Sequence, residues 1–226
     1  MTIDYTLIRS NRKTVALCIR DGKLVVRAPL NTPVGQINKF IWRKSRWIEQ
    51  KLAATGERAA IRESFALTYG SAVEYRGERY AIEAREGGRA GFDGECFYVP
   101  PDMPPERIKA ACVEIYRKLA RRVLAGKALE YAKAMYAFPA KISVTGAKKR
   151  WGSCSKCGRV NFSWRLMMAD DDLIDYVVVH ELAHLSEMNH SDRFWAKVAW
   201  ILPDWPARRQ RLKELQRRLA YEDWDV

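Results

Sequence analysis

Histidine is scarce in this sequence: three occur in 226 residues, and all lie within HELAHLSEMNH, His180 to His190. Long apolar runs are missing. None approaches the ~18–20 residues that a membrane span needs, so no membrane association is expected. The opening MTIDYTLIRS lacks a basic stretch followed by an apolar one and does not read as a secretory signal. Cysteines are few, odd in number and scattered, at 18, 96, 112, 154 and 157. That excludes a disulfide framework and makes a reducing cytoplasm the expected location. There is no internal repeat, no low-complexity segment, no phosphate-binding P-loop and no carboxylate cluster suited to Mg²⁺.

What is present describes a folded, basic chain. Hydrophobic residues make up 48%, with eight Trp and ten Tyr, which rules out a disordered polymer. The formal charge of +13 favours an anionic partner such as nucleic acid, a nucleotide or an acidic protein. The alternative is a soluble protein with a basic surface. The charge is uneven: Lys141 to Arg165 holds seven Lys or Arg and no acid, immediately before the histidine segment.

The pattern along the chain predicts an α+β fold. VALCIRDGKLVVRAP reads as two strands joined at Asp21-Gly22, because a two-residue hairpin loop needs positive φ at both positions. Asn31 or Thr32 then caps a helix with Pro33 in its first turn, and Ile37, Phe40, Ile41, Ile48 and Leu52 recur at core-facing spacing. AVEYRGERYAIEA is a second hairpin turning at Arg76-Gly77. VPPDMPP, Val99 to Pro105, marks the expected boundary between a β-rich region, 1–100, and a second domain, 101–226. A long helix follows to about Tyr136. KISVTG reads as one strand, and KKRWGSCS and CGRVNFSWRL as two more, with Val160, Phe162 and Trp164 alternating. ADDDLIDYVVVHELAHL places Asp residues at a helix N-terminus, where they suit the macrodipole.

HELAH has the HExxH form. Residues four apart share a helix face, so His180 and His184 can present both imidazoles to one ion. Glu181 lies about 100° round the helix, too far to join them as a ligand but within reach of a water on the metal. Zinc lowers the pKa of such a water to about 7, and a nearby carboxylate can accept its proton. A catalytic site needs a third ligand. On an unbroken helix His190 would sit ~15 Å along the axis and ~80° off the ligand face. It contributes only if the helix stops after His184 and the chain doubles back, with Asn189 in the left-handed conformation and Ser191 capping the next helix. Glu187 is the other candidate third ligand. The spacing HExxHxxxxxH coincides with that of metzincin proteases, but those have Gly where this chain has Glu187, so membership does not follow.

WGSCS at 151–155, NFSWRL at 161–166 and DYVVVHELAHLSEMNHSDRFW at 175–195 resemble the YgjP-like zinc metallopeptidases, related to SprT-type proteins and minigluzincins. The upstream order is similar too: a basic hairpin ending RAP, the helix IWRKSRWIEQKL, a YRGERY element, then a long helix. The resemblance implies a zincin-like C-terminal half built round an HExxH active-site helix. It assigns His180, His184 and His190 as zinc ligands and Glu181 as general base. WGSC and NFSWRL would then form strands beside that helix, where an extended substrate can pair with an edge. Cys157 and Ser163 depart from residues frequent in the family, away from the ligands.

Three functions follow as expectations. The first is a zinc metallopeptidase in which Glu181 activates water, with Arg165, Asn161 or a backbone N–H holding substrate. The second, also implied by the resemblance, is hydrolysis of a nucleoside triphosphate such as UTP at the same site, which the acid-free basic segment would suit. The third is a basic zinc protein that docks on nucleic acid; an intact Glu181 argues against it, since structural zinc has no use for a base. Cys154 and Cys157 have C-x-x-C spacing but lack a second pair for a zinc ribbon, so they read as idle thiols in a strand connection. The tryptophans at 42, 47, 164, 195, 200 and 205 read as core packing rather than base-stacking platforms. The basic ARRQRLKELQRR segment reads as a solvated helix face.

Overall fold

A computed structural model describes residues 3–20 and 22–226. The chain forms two compact units, Met1–Phe65 with Ala220–Asp223, and Ala66–Leu219 with Trp224–Val226. The division thus falls between Phe65 and Ala66, not at the proline-rich VPPDMPP stretch.

In the first unit, β1 (Tyr5–Ser10), β2 (Ala16–Arg20) and β3 (Lys23–Pro29) form a sheet in the order β1-β3-β2. β2 and β3 make the expected hairpin, closing after Arg20↔Lys23 with Gly22 at φ +71°. Asp21, the other expected turn residue, lies outside the described residues. The single helix expected next is two, α1 (Val34–Arg43) and α2 (Ser45–Glu63), parted at Lys44, whose N–H is shared between the Phe40 and Ile41 carbonyls. Pro33 is the N-cap of α1, and no side chain caps it. Ile37, Ile41 and Ile48 nevertheless face Leu24, Val26 and Ala28 as their spacing predicts, with Leu52 partly buried against them. Each such aliphatic side chain contributes roughly 1.5–3 kcal/mol of burial.

The second unit is built round α3 (Pro105–Met135), one face of which is buried from Ile108 to Ala132. Tyr136, left-handed at φ 49°, ends it. Four strands, β4 (Ala72–Tyr75), β5 (Glu78–Ala84), β6 (Gly91–Phe92) and β7 (Phe97–Val99), form a sheet ordered β4-β5-β7-β6. These strands lie before VPPDMPP yet belong to this unit, because their side chains pack on α3. Phe97 lies 5.2 Å from Tyr116, ring centre to ring centre, and the Tyr116 hydroxyl donates to the Glu74 carbonyl. The β4–β5 turn is Arg76-Gly77 as expected, both at positive φ. Its tip meets the segment before the histidine helix: Arg76 N–H donates to the Met167 carbonyl at 2.8 Å.

The third sheet, ordered β8-β10-β9, contains β8 (Lys141–Thr145), β9 (Gly152–Cys154) and β10 (Arg159–Ser163). β10 runs parallel to β8 and antiparallel to β9, which is left as an edge. Trp164 does not continue β10; it opens a short 3₁₀ turn, Trp164–Met168, whose N-cap Ser163 accepts from the Arg165 N–H. Trp164 remains buried, stacked on Tyr116 at 5.6 Å. Three helices complete the unit: α4 (Asp171–Ala183), α5 (Asp192–Ile201) and α6 (Trp205–Leu219). The expectation that the tryptophans are core residues holds for Trp164 and fails for Trp42, Trp47 and Trp200, which are 78%, 39% and 68% exposed. Among the described residues no helix is long and apolar enough to cross a membrane.

Candidate metal centre

The helix that carries the histidines is held hard at its N-terminus. Asp171 and Asp172 occupy the first turn of α4, where carboxylates offset the exposed N–H dipoles. Arg76 pairs with Asp171, Arg211 with Asp170 and Asp172, and Lys127 with Asp175 at 2.6 Å. The middle of α4 is buried almost all round, Leu173 to Ala183, so its rotation is set by packing. That rotation places His180, Glu181 and His184.

α4 ends at Ala183, with His184 as C-cap. The chain tightens there: Leu185 N–H donates to Leu182 O at 3.0 Å, and Ser186 and Glu187 N–H both donate to Ala183 O. The chain reverses through these tight turns and not through a left-handed residue. Among the described residues, positive φ outside glycine occurs only at Arg76, Asp102 and Tyr136, so Asn189 does not take the conformation expected of it. Ser191 does cap α5, accepting from the Phe194 N–H.

The reversal returns His190 to the other two histidines. Ring centres lie 4.9 Å apart for His180–His184, 4.8 Å for His184–His190 and 5.0 Å for His180–His190. One ring nitrogen from each falls within 4.8 Å of the others, and Nε2 of His180 and His190 stand 3.1 Å apart. Glu187 is not part of this group. Its backbone carbonyl lies 3.0 Å from His184 Nδ1, which suits an Nδ1–H donor and leaves Nε2 as the free lone pair. The Nδ1 of His180 is buried with no hydrogen-bond partner, so packing orients that ring. Phe194 lies 4.5–4.8 Å from all three imidazoles, and Trp195 stacks on His190 at 5.5 Å. Nothing in the spacing of SDRFW marked these two aromatics as a scaffold for the rings.

Burial, reinforced by the neighbouring His184 and His190, pushes the His180 pKa down to about 3, and burial lowers His184 too. Both imidazoles are therefore neutral at pH 7, as metal ligation requires. Three imidazole nitrogen donors, without a carboxylate among them, fit a borderline-soft divalent ion such as zinc and suit Mg²⁺ or Ca²⁺ poorly.

Glu181 is only 7% exposed. Burial raises its pKa to about 7, with Arg150 pulling the other way. A mostly buried carboxyl whose pKa is raised by burial is a mark of functional sites. Its side chain lies against the backbone of Gly152: a Cβ there would stand 2.6 Å from Glu181 Cγ and 2.7 Å from Oε1. Gly152 thus has a role that the WGSC motif alone did not disclose. The signal was present as a glycine inside a strand, where close approach of another group is a usual cause.

The residues suggested as substrate holders are occupied otherwise. Arg165 donates to the Gly146 carbonyl at 3.0 Å, pairs with Asp225 and lies over the Trp164 ring. Asn161 donates to Ser153 Oγ at 3.3 Å. Cys154 and Cys157 are free thiols, the first within β9 and the second exposed.

Comparison with solved structures finds the metallopeptidase zymogen of abylysin from Pyrococcus abyssi, at 20% identity and TM-score 0.39, over 42% of this chain and 96% of that one. The metallopeptidase zymogen of jannalysin from Methanocaldococcus jannaschii matches at 19% identity and TM-score 0.36, over 42% and 95%. No curated protein matches. The model of the YgjP-like family, described as a metallopeptidase domain, matches residues 13–215, most of both compact units and every residue of the histidine cluster. The chain belongs to the YgjP-like metallopeptidase family.

Proposed function

We propose that the protein is a zinc-dependent peptidase whose α4 is the active-site helix of a zincin-like fold. The observation that carries this reading is a buried Glu181 one residue from a ring of three imidazoles. His180, His184 and His190 would hold the metal. Zinc supplies Lewis acidity there, polarising a carbonyl and lowering the pKa of water toward about 7. Glu181 supplies the base. Its carboxylate takes a proton from the attacking water and returns it to the leaving amine, and a pKa of about 7 suits both transfers near neutral pH. Gly152 keeps that carboxylate in place by leaving room for it. β9 is a sheet edge that packs beside α4, so an extended peptide can add to it as a further strand. Nucleotide hydrolysis and nucleic-acid docking gain no support from a family described as metallopeptidases.

The test compares wild type with Glu181→Gln for zinc content and turnover. The variant should keep its zinc and lose about 10²–10⁴ in rate on casein-derived peptides. An unchanged rate, or a wild-type protein that binds no zinc, would refute the site. Turnover of UTP without cleavage of any peptide would refute the substrate class.

A further inference from the structure

A cleft of about 250 Å³ opens beside His180 and Glu181. Its walls come from two helices and one strand lip. α4 supplies Tyr176 and Val177 along with His180 and Glu181, and the lip is Arg150-Trp151-Gly152. α6 supplies Arg209, Leu212, Lys213 and Gln216, which recur at three- and four-residue steps and so share one helix face. Three cations therefore line the cleft, and Glu181 is the only acid among its walls.

These cations differ from their neighbours. Arg208 pairs with Asp204, Arg211 with Asp170 and Asp172, and Arg218 with Glu74. Arg150, Arg209 and Lys213 have no ion-pair partner among the described residues; Arg209 lies over the Trp195 ring at 5.3 Å. Arg208, Arg211 and Arg218 thus meet the protein's own carboxylates, whereas among the described residues no acid forms an ion pair with the three cations of the cleft, where Arg150 acts on Glu181 through its charge alone. A cleft focusing one sign of charge attracts a ligand group of the other. Its volume lies below the ~300–1,000 Å³ of pockets that enclose drug-sized ligands, and it matches one side chain. Trp151, Val177 and Leu212 provide apolar surface for the methylenes of such a side chain.

Resting on the peptidase reading above, we infer that this cleft is a carboxylate subsite: Arg150, Arg209 and Lys213 select peptides that carry a carboxylate beside the bond to be cleaved. That carboxylate is either a Glu or Asp side chain or the C-terminus of the substrate itself. An unmodified peptide carries no other anion near a scissile bond. The charge that gives the chain its basic character is, at this place, a specificity determinant.

The experiment uses the zinc-loaded full-length protein and fluorogenic peptides with one common core. Three have both ends blocked and differ only in carrying Gln, Glu or Lys next to the scissile bond. A fourth carries Gln and a free C-terminal carboxylate. The Glu peptide or the free-carboxylate peptide should exceed the blocked Gln peptide by about tenfold in kcat/KM, as expected for one charge-assisted contact. Which of the two is preferred identifies the source of the carboxylate. The preference should shrink with added salt. Lys213→Glu should lower the ratio of Glu to Lys peptide most and Lys213→Gln by less, since Arg150 and Arg209 remain, both mainly through KM. Binding of the same peptides to Glu181→Gln, followed by fluorescence anisotropy, should show the same order without turnover. Peptides cleaved without regard to charge, or an unchanged ratio in Lys213→Glu at full zinc content, would overturn the subsite alone. No cleavage of any peptide by the zinc-loaded protein would overturn the peptidase reading and the subsite with it.

Discussion

Gly152→Ala isolates the geometry of the base from the chemistry of the metal. The added Cβ would lie 2.6 Å from Glu181 Cγ, 2.7 Å from Oε1 and 2.8 Å from Cδ, against the ~3.5–4.0 Å at which carbons rest. Relieving that overlap requires a displacement of about 1 Å. Backbone conformation does not oppose the substitution, since Gly152 is paired in an ordinary strand opposite Phe162. Space alone opposes it. The displaced carboxylate can give way only toward the cleft beside it, and overpacking of this kind costs roughly 1–3 kcal/mol. A misplacement of about 1 Å at a reacting group lowers the rate by about 10²-fold. The histidines are untouched. Gly152→Ala should therefore bind zinc as wild type does, melt a few degrees lower and lose about 10² in kcat with KM little changed. Steady-state kinetics, metal analysis and thermal unfolding measure these separately. A kcat within about threefold of wild type, with stability lowered as expected, would show that Glu181 does not act from the position seen here.

Three further predictions follow from the same site. In metal-free protein, Glu181 has a pKa raised from 4.5 to about 7, so the stabilisation of its neutral form is complete below pH 4.5 and lost as pH rises through about 7. Metal-free Glu181→Gln should then match wild type near pH 4 and exceed it at pH 8 by roughly 3 kcal/mol, read by urea unfolding; no gain at pH 8 would mean that the carboxyl is not desolvated. His190→Ala should lose zinc under dialysis conditions in which wild type retains it, whereas Glu187→Ala should retain it, because Glu187 contributes its carbonyl and not its carboxylate; zinc loss in Glu187→Ala would contradict that geometry. Ser191→Ala removes the α5 cap beside His190 and should cost about 1 kcal/mol in unfolding free energy together with some zinc affinity, measured by competition with a chelator.

How much the sequence disclosed depended on the distance over which each feature is determined. The i, i+4 spacing of His180 and His184 sufficed to put both on one face of a helix, and α4 carries His180 within it and His184 as its cap. The need for that helix to stop before His190 was legible as well, since ten helical residues cannot bring two imidazoles together. The means of stopping was misjudged: hydrogen bonds to Leu182 and Ala183 tighten the chain, and Asn189 stays out of the left-handed region. The hairpin at Arg76-Gly77 was read correctly, yet its membership of the second unit was not, because packing on α3 is a contact between distant segments. A composition break such as VPPDMPP marks a change of element and carries no information on which elements share a core.

By itself the sequence determined most of the local elements and placed His180, Glu181 and His184 together on one helix, because each follows from spacing along a single element. Only the tertiary structure decided the rest. It closed the three imidazoles to ring separations of 4.8–5.0 Å, packed Phe194 against them and set Glu181 over Gly152. It also turned Arg209 and Lys213 of a basic helix toward the cleft while Arg208, Arg211 and Arg218 met carboxylates. Each of these is an encounter between residues far apart in the chain. Burial and packing bring such residues together, and no local pattern encodes which of them will meet.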